Sequence, residues 1–186
     1  MYSNVMKIRQ IGFTLIELLV VVVMMAIVAS LAVPSFQSLM ARRAVSAAAD
    51  ALISDLRYAR SEAVKRSTRV SICRSSNGAS CSGAAGLWKD GWIVFVDANG
   101  NGAFEAGDEI VRAQQALSSI ASIVGPTPVN DRPSFTYQPT GWAKAANQSF
   151  TFTTTGSASS SATLLLCISN QGRPSVRPAG TTICLG

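Results

Sequence analysis

Four sets of side chains in this 186-residue chain have types and spacings suited to chemistry. Asp97, Asn99 and Asn101 alternate ahead of Gly102, and Asp108 closes the same run. Oxygen ligands at alternate positions, a glycine for the sharp turn and an acid at the twelfth place are what a calcium loop needs. The same residues build a Gly/Asn-rich β-turn, because both types enter positive φ readily, and an EF-hand would carry Glu where Asp108 stands. Arg173 and Arg177 are four apart, so an extended backbone puts both guanidiniums on one face, where they can hold phosphates. Four cysteines, Cys73, Cys81, Cys167 and Cys184, allow three disulfide connectivities. Pairing within each neighbouring couple is favoured, since each closes a polar loop of workable length. The spacings are not those of a C-x-x-C zinc site. Finally, Glu17 is a lone acid inside an apolar run, where charge is costly and usually functional. The chain has no histidine, which removes the commonest general base and the commonest neutral metal ligand. No Ser or Cys has an evident base beside it, so catalysis is not expected.

The element that positions Glu17 is the stretch from Gly12 to Val33, long enough to cross a bilayer as a helix of about 20 residues. A short leader with Lys7 and Arg9 precedes it. Three readings compete. A plain membrane anchor accounts for length alone. A secretory signal would be cut after Ala32, because Ser30-Leu31-Ala32 offers small residues at the required places, releasing a soluble binding domain that starts at Val33. The third reading is a leader removed before the apolar run, with the run retained. Pro34 follows and is expected to kink the helix, since it lacks the N–H and crowds the preceding turn.

Gly12-Phe13-Thr14-Leu15-Ile16-Glu17 resembles the type III signal of type IV pilins and type II secretion pseudopilins. The resemblance implies that a prepilin peptidase cuts between Gly12 and Phe13 and methylates the new N-terminus at Phe13. It also implies that Glu17 pairs with the terminal amine of a neighbouring subunit during assembly, and that Pro34 bends the helix in the filament. A first-turn acid favoured by the helix dipole is the simpler account of Glu17.

Residues 1–12 are therefore a processed leader, 13–34 a transmembrane and filament-core helix, 35–66 an amphipathic continuation, and 67–186 a β-rich globular domain. Loss of the leader takes the net charge from +6 to +4, a mildly basic balance compatible with anionic partners. After Pro34 the apolar positions Val45, Ala49, Leu52, Leu56, Ala59 and Ala63 recur every three or four residues, one stripe to lie on a sheet. Arg42, Asp50, Arg57, Arg60 and Lys65 fall off the stripe as a solvated face, and Glu62 and Arg66 form an i,i+4 pair. Strands are expected at 69–74, 92–96, 109–116, 119–124, 135–137, 149–154 and 163–169, separated by Gly, Asn, Pro and Ser clusters. Residues 156–162 read as a hairpin loop or flexible segment. The fold class is α+β: one long N-terminal helix packed on antiparallel sheets.

Tyr58-Ala-Arg-Ser-Glu-Ala63, Gly91-Trp-Ile-Val-Phe-Val96 with the Asn/Gly loop after it, and Leu166-Cys167-Ile168 resemble the GspH/FimT family of minor pilins and pseudopilins. That resemblance implies a filament-priming or capping subunit at a single-pass inner-membrane site, its domain in the periplasm and later near a pilus tip. Its implied partners are major and minor pilins or pseudopilins, the prepilin peptidase and the assembly platform. A type II secretion pseudopilus is the alternative machine. Members used in natural transformation bind double-stranded DNA through Gly-Arg-x-Arg. Here Gly172 and Arg173 match, Ser175 takes the second arginine's place, and Arg177 lies two positions on. No cofactor is implied beyond the calcium that the Asp97 loop suggests.

Overall fold

The computed structural model describes residues 13–82, 87–125, 133–144, 148–155, 162–169, 171–177, 180–181 and 184. The chain divides into two compact units, Met1–Gln37 and Ser38–Gly186. One helix, α1 (Leu15–Arg66), contributes to both, and its assignment runs through Pro34 without a break. In the first unit the helix opens on a cap. Thr14 Oγ accepts the Glu17 N–H at 3.3 Å, and the Thr14 carbonyl accepts the Leu18 N–H at 3.2 Å. Thr14 thus satisfies a donor that the first turn would leave orphaned. Every residue from Phe13 to Val33 is exposed, as suits a surface that lipid or other helices cover. This is the one span among the described residues long and apolar enough to cross a membrane.

In the second unit the expected stripe is the buried face of α1: Val45, Ala49, Leu52, Leu56, Ala59 and Ala63 all belong to the core. Small residues alternate with Leu, which lets the helix approach the strands closely. The helix stops in a Schellman arrangement, with Thr68 N–H on the Ala63 carbonyl (3.2 Å) and Ser67 N–H on the Val64 carbonyl (3.3 Å). This requires φ of +51° at Ser67, a conformation that glycine usually supplies.

Two antiparallel sheets complete the unit. The first has the order β3-β2-β1-β5-β6, from β1 (Val70–Arg74), β2 (Trp92–Val96), β3 (Glu109–Gln114), β5 (Ser134–Tyr137) and β6 (Ala143–Lys144). The second has the order β4-β7-β8-β9, from β4 (Ile120–Val124), β7 (Gln148–Thr154), β8 (Thr163–Ile168) and β9 (Pro174–Arg177). Strand β7 follows strict alternation, burying Gln148, Phe150, Phe152 and Thr154, and lies antiparallel to β8 with Phe150 opposite Leu166. Strands β1 and β2 are buried almost throughout, because they sit inside their sheet with both faces covered.

Trp88, in a short 3-10 turn (Trp88–Asp90), joins Trp92, Phe135 and Phe150 at centroid distances of 5.4–6.5 Å. These rings come from both sheets and from the β1–β2 connection, so one aromatic cluster ties the layers together. Cys73 is joined to Cys81 and Cys167 to Cys184, the local connectivity. The 3-10 turn and strands β6 and β9 have no counterpart among the sequence-based expectations. The segment 156–161, read from sequence as a loop, lies outside the described residues.

Candidate functional site

The leader residue Gly12 lies outside the described residues; Phe13 and Glu17 are exposed on the first unit. The Thr14-x-x-Glu17 spacing is that of a capping box, a signal legible in the sequence but overshadowed by the apolar run behind it. The cap fixes where the helix begins, and therefore the height of Glu17 on it. An acid in the first turn also complements the positive end of the helix dipole.

In the second unit the Asp97 loop is built from its own hydrogen bonds. Asp97 is fully buried. Its Oδ1 accepts the Gly100 N–H at 2.7 Å, and its Oδ2 accepts the Gly102 N–H at 2.9 Å and the Ser71 hydroxyl at 2.6 Å. Ser71 has one proton and gives it to the carboxylate, so Thr136, 2.7 Å away, must donate to Ser71. Asn99 and Asn101 use their carbonyls on the N–H groups of Asn101 and Ala103. Their amides donate to the two oxygens of Glu105. Asp108 Oδ2 accepts the Glu105 N–H at 2.9 Å. Side-chain oxygens of all four residues proposed as cation ligands are thus engaged with donors of the protein. No cluster of three or more acidic, His or Cys side chains suited to a metal occurs among the described residues.

The Gly172–Arg177 segment is held by a contact that sequence reading missed. The buried Tyr137 hydroxyl, at the end of β5, donates to the Gly172 carbonyl at 2.9 Å. Burial pushes the Tyr137 phenol up to about 12, opposed by the positive charge of Arg60. Gly172 has φ of +73°, and a methyl there would lie 2.7 Å from both Ala143 Cβ and Tyr137 Cε1. Only glycine fits this place. The next residue, Arg173, is exposed, and Arg177 is exposed at the end of the sheet-edge strand β9, opposite Leu165. Ser175 and Arg177 share the strand face away from Val176.

Two further clusters fasten α1 to the first sheet. Asp55 is a buried acid on the helix whose carboxylate takes Trp92 Nε1–H at 2.8 Å and Arg112 Nη1–H at 2.7 Å. The Arg112 guanidinium also lies 4.4 Å over the Tyr58 ring. Glu62, buried near the helix end, accepts from Arg66 at 2.7 Å, and Arg66 reaches Glu109 of β3 at 2.7 Å. The Arg66 hydrogen bond holds the Glu62 carboxyl below its ordinary value. The Glu109 and Glu62 carboxylates in turn raise Arg66.

Residues 48–172 match the model of the type II transport protein GspH, which is about two-thirds of the chain. The chain belongs to the GspH family. Residues 7–33 match the prokaryotic N-terminal methylation motif, which spans the Gly12–Phe13 junction and Glu17. Together with the long apolar helix, this motif fits a single-pass inner-membrane pilin. The GspH-like fold is similar to that of the type IV minor pilin FimU of Pseudomonas aeruginosa strain PAO1. A crystal structure in space group P21 is 22% identical, with a TM-score of 0.56 over 75% of this chain and 92% of that one. A second, in space group P65, is 21% identical, with a TM-score of 0.54 over 73% and 94%. No curated protein matches the chain. The pilin-like arrangement of one long helix on two antiparallel sheets is therefore that of a structural family.

Proposed function

We propose that this chain is a minor pilin that primes or caps a type IV pilus, with a structural and non-catalytic role. The observation that carries the reading is the methylation motif at residues 7–33, which covers the capped start of α1 and an apolar stretch whose single acid is Glu17. Cleavage between Gly12 and Phe13 by a prepilin peptidase leaves an amine next to that helix. The apolar stretch 13–33 holds the subunit in the inner membrane, with the β-rich unit in the periplasm, until the assembly platform extracts it into a bundle of neighbouring pilin helices. There Glu17 meets the amine of the adjacent subunit, so that an anion costly in lipid gains a cation and fixes register. Pro34, which brings no N–H to the helix, marks where this helix can bend during packing. The exposed surface of the second unit then chooses partners near the tip.

Mass spectrometry of the N-terminus tests the reading. N-methyl-Phe13, absent when the prepilin peptidase is deleted, is expected. A free Val33 would instead mean release by signal peptidase after Ala32. Counting surface pili and twitching zones in a deletion strain tests the priming role.

A second machine is supported by the description of the matching family, a type II transport protein. Under that reading the chain is a pseudopilin, and its deletion abolishes secretion while leaving pili unchanged. A contribution to DNA uptake is supported by the exposure of Arg173 and Arg177 beside the tightly fixed Gly172. Duplex DNA titrated onto the full chain in detergent micelles is expected to bind in a salt-sensitive, sequence-independent manner. That binding is expected to be lost in Arg173→Ala with Arg177→Ala.

A further inference from the structure

Three separate segments meet on one side of the β-rich unit, and none of them is adjacent to the others in sequence. Residues 138–141 form a tight turn, with Gly141 N–H on the Gln138 carbonyl at 2.8 Å and φ of +80° at Gly141. Gln138 N–H then takes the Trp142 carbonyl at 2.7 Å, which fixes the backbone of the residue after the turn. On one side of this turn is α1: a methyl on Gly141 would sit 3.2 Å from Arg60 Nε and 3.4 Å from Val64 Cγ2. The Gly172 bend packs on the same segment, and the methyl test there gives 2.7 Å to Ala143 Cβ. The segment Gly141–Trp142–Ala143 therefore touches α1 at Arg60 through its first residue and the Gly172 bend, which Arg173 follows, through its last.

The middle of this strip is unusual. Trp142 is 57% exposed, whereas Trp88 and Trp92 are fully buried. An indole is a large apolar surface to leave in water, and Val64 beside the turn is 51% exposed as well. Neither Arg60 nor Arg173 has an acidic partner among the described residues. The acids that this end of the helix does carry are engaged elsewhere, Glu62 with Arg66 and Lys65. An exposed aromatic residue, in a segment packed on Arg60 and on the bend that Arg173 follows, offers the chemistry that binds an unpaired nucleic-acid strand. A base stacks on the ring and the flanking phosphates meet the cations. A flexible acidic peptide would use the cations and leave the indole idle, and a duplex keeps its base faces stacked inside.

We propose that Arg60, Trp142 and Arg173 form a binding strip for single-stranded nucleic acid, with a base stacked on Trp142 and phosphates on the two arginines. The strip shares Arg173 with the duplex contact considered above and does not depend on that contact.

Because Trp142 is the one exposed tryptophan of three, its emission reports the contact directly. The experiment uses the full chain in non-ionic micelles, titrated with a thymidine oligonucleotide, the corresponding duplex, polyphosphate and polyglutamate. Saturable quenching by the oligonucleotide is expected, with weaker quenching or none by the base-free polyanions. Trp142→Ala should weaken oligonucleotide binding about tenfold, read by anisotropy of a labelled strand, a loss typical of one stacked base. Arg60→Gln and Arg173→Gln should each lower the slope of log affinity against log salt by about 0.7, the share of one phosphate on a single strand. Unchanged melting temperatures in these variants show that the fold is kept. Equal quenching by polyglutamate or polyphosphate would overturn the proposal, as would oligonucleotide binding that is indifferent to Trp142→Ala. Duplex binding without oligonucleotide quenching would overturn the strip and leave the duplex contact standing. Oligonucleotide quenching without duplex binding would do the reverse. Silence with both would remove each.

Discussion

Replacing Asp55 by alanine strands two donors at once. Trp92 Nε1 is buried and would lose its acceptor, and Arg112 would lose its ion pair while still lying over Tyr58. A buried donor left without a partner costs about 1–3 kcal/mol and a broken buried ion pair about 3–5 kcal/mol. Arg112 is partly exposed, which draws the expected loss down to about 2–4 kcal/mol. Chemical denaturation checks this value, and Asp55→Asn, which keeps an acceptor for Trp92, should recover part of the loss. Tyr137 gives a second prediction at the same scale. Its folded pKa of about 12 lies above its ordinary 10.0, so the unfolded chain loses its proton first as pH rises. The contribution is whole below pH 10 and drains away toward pH 12, by about 2–3 kcal/mol at about 1.4 per unit. Tyr137→Phe should remove this alkaline decline. At neutral pH the variant should still be less stable, because the Gly172 carbonyl loses its donor. Ser67 runs the other way. It holds φ of +51° at the helix C-terminus, so Ser67→Gly should raise stability by about 1 kcal/mol, measured as a shift of the denaturation midpoint.

Among the elements, α1 and the central strands were the most legible from sequence, for a physical reason. A stripe at three- and four-residue spacing leaves one way to bury apolar surface, and Val45 through Ala63 lie in the core along that stripe. Strand β2 was readable because five consecutive large residues between polar turns suit a strand covered on both faces. Strand β9 was not readable: Pro174-Ser175-Val176-Arg177 has little β pattern, and its pairing is imposed by β8 and by the Tyr137 contact on Gly172. Asp55 escaped for a related reason. A carboxylate on a helix is expected in solvent unless the partner is known, and its partners lie 37 and 57 residues away in sequence. The Glu62–Arg66 pair was legible from its i,i+4 spacing, while its extension to Glu109 was not. The Asp97 loop was legible as a turn, while its oxygens serve backbone N–H groups rather than standing open. Millimolar Ca²⁺ is therefore expected to leave the melting temperature where Mg²⁺ leaves it. A rise with Ca²⁺ alone would mean that the ion displaces those hydrogen bonds. The Glu62–Arg66–Glu109 chain, which joins the helix end to the edge strand β3, is an acid-sensitive fastening. Glu62 is held below its ordinary 4.5 by Arg66, so its contribution is present above that value and is lost as pH falls through the lowered one.

At the scale of the molecule the membrane and the proposed filament place opposite demands on Glu17. In an unassembled subunit the carboxylate stands near the start of an apolar helix with only its cap beside it, and a charge at the centre of a lipid-borne helix costs about 2.5–3.5 kcal/mol on insertion scales. Near the helix end part of that cost is relieved by water and headgroups, and the first-turn dipole favours the anion. Under the proposed function the same carboxylate gains a neighbour's amine in a filament. Glu17→Gln keeps the size and the capping geometry and removes the charge. The variant is expected to insert and be processed at Phe13 as the wild type is, since neither step needs the anion, while its share in sheared filaments falls about tenfold or more. A tenfold loss corresponds to about 1.4 kcal/mol, well within the worth of one charge pair in a low-dielectric setting. Quantitative mass spectrometry of membrane and filament fractions reads both terms together. Equal incorporation of the variant would show that packing of the apolar helix alone sets register. The acid would then be kept for its place in the first turn.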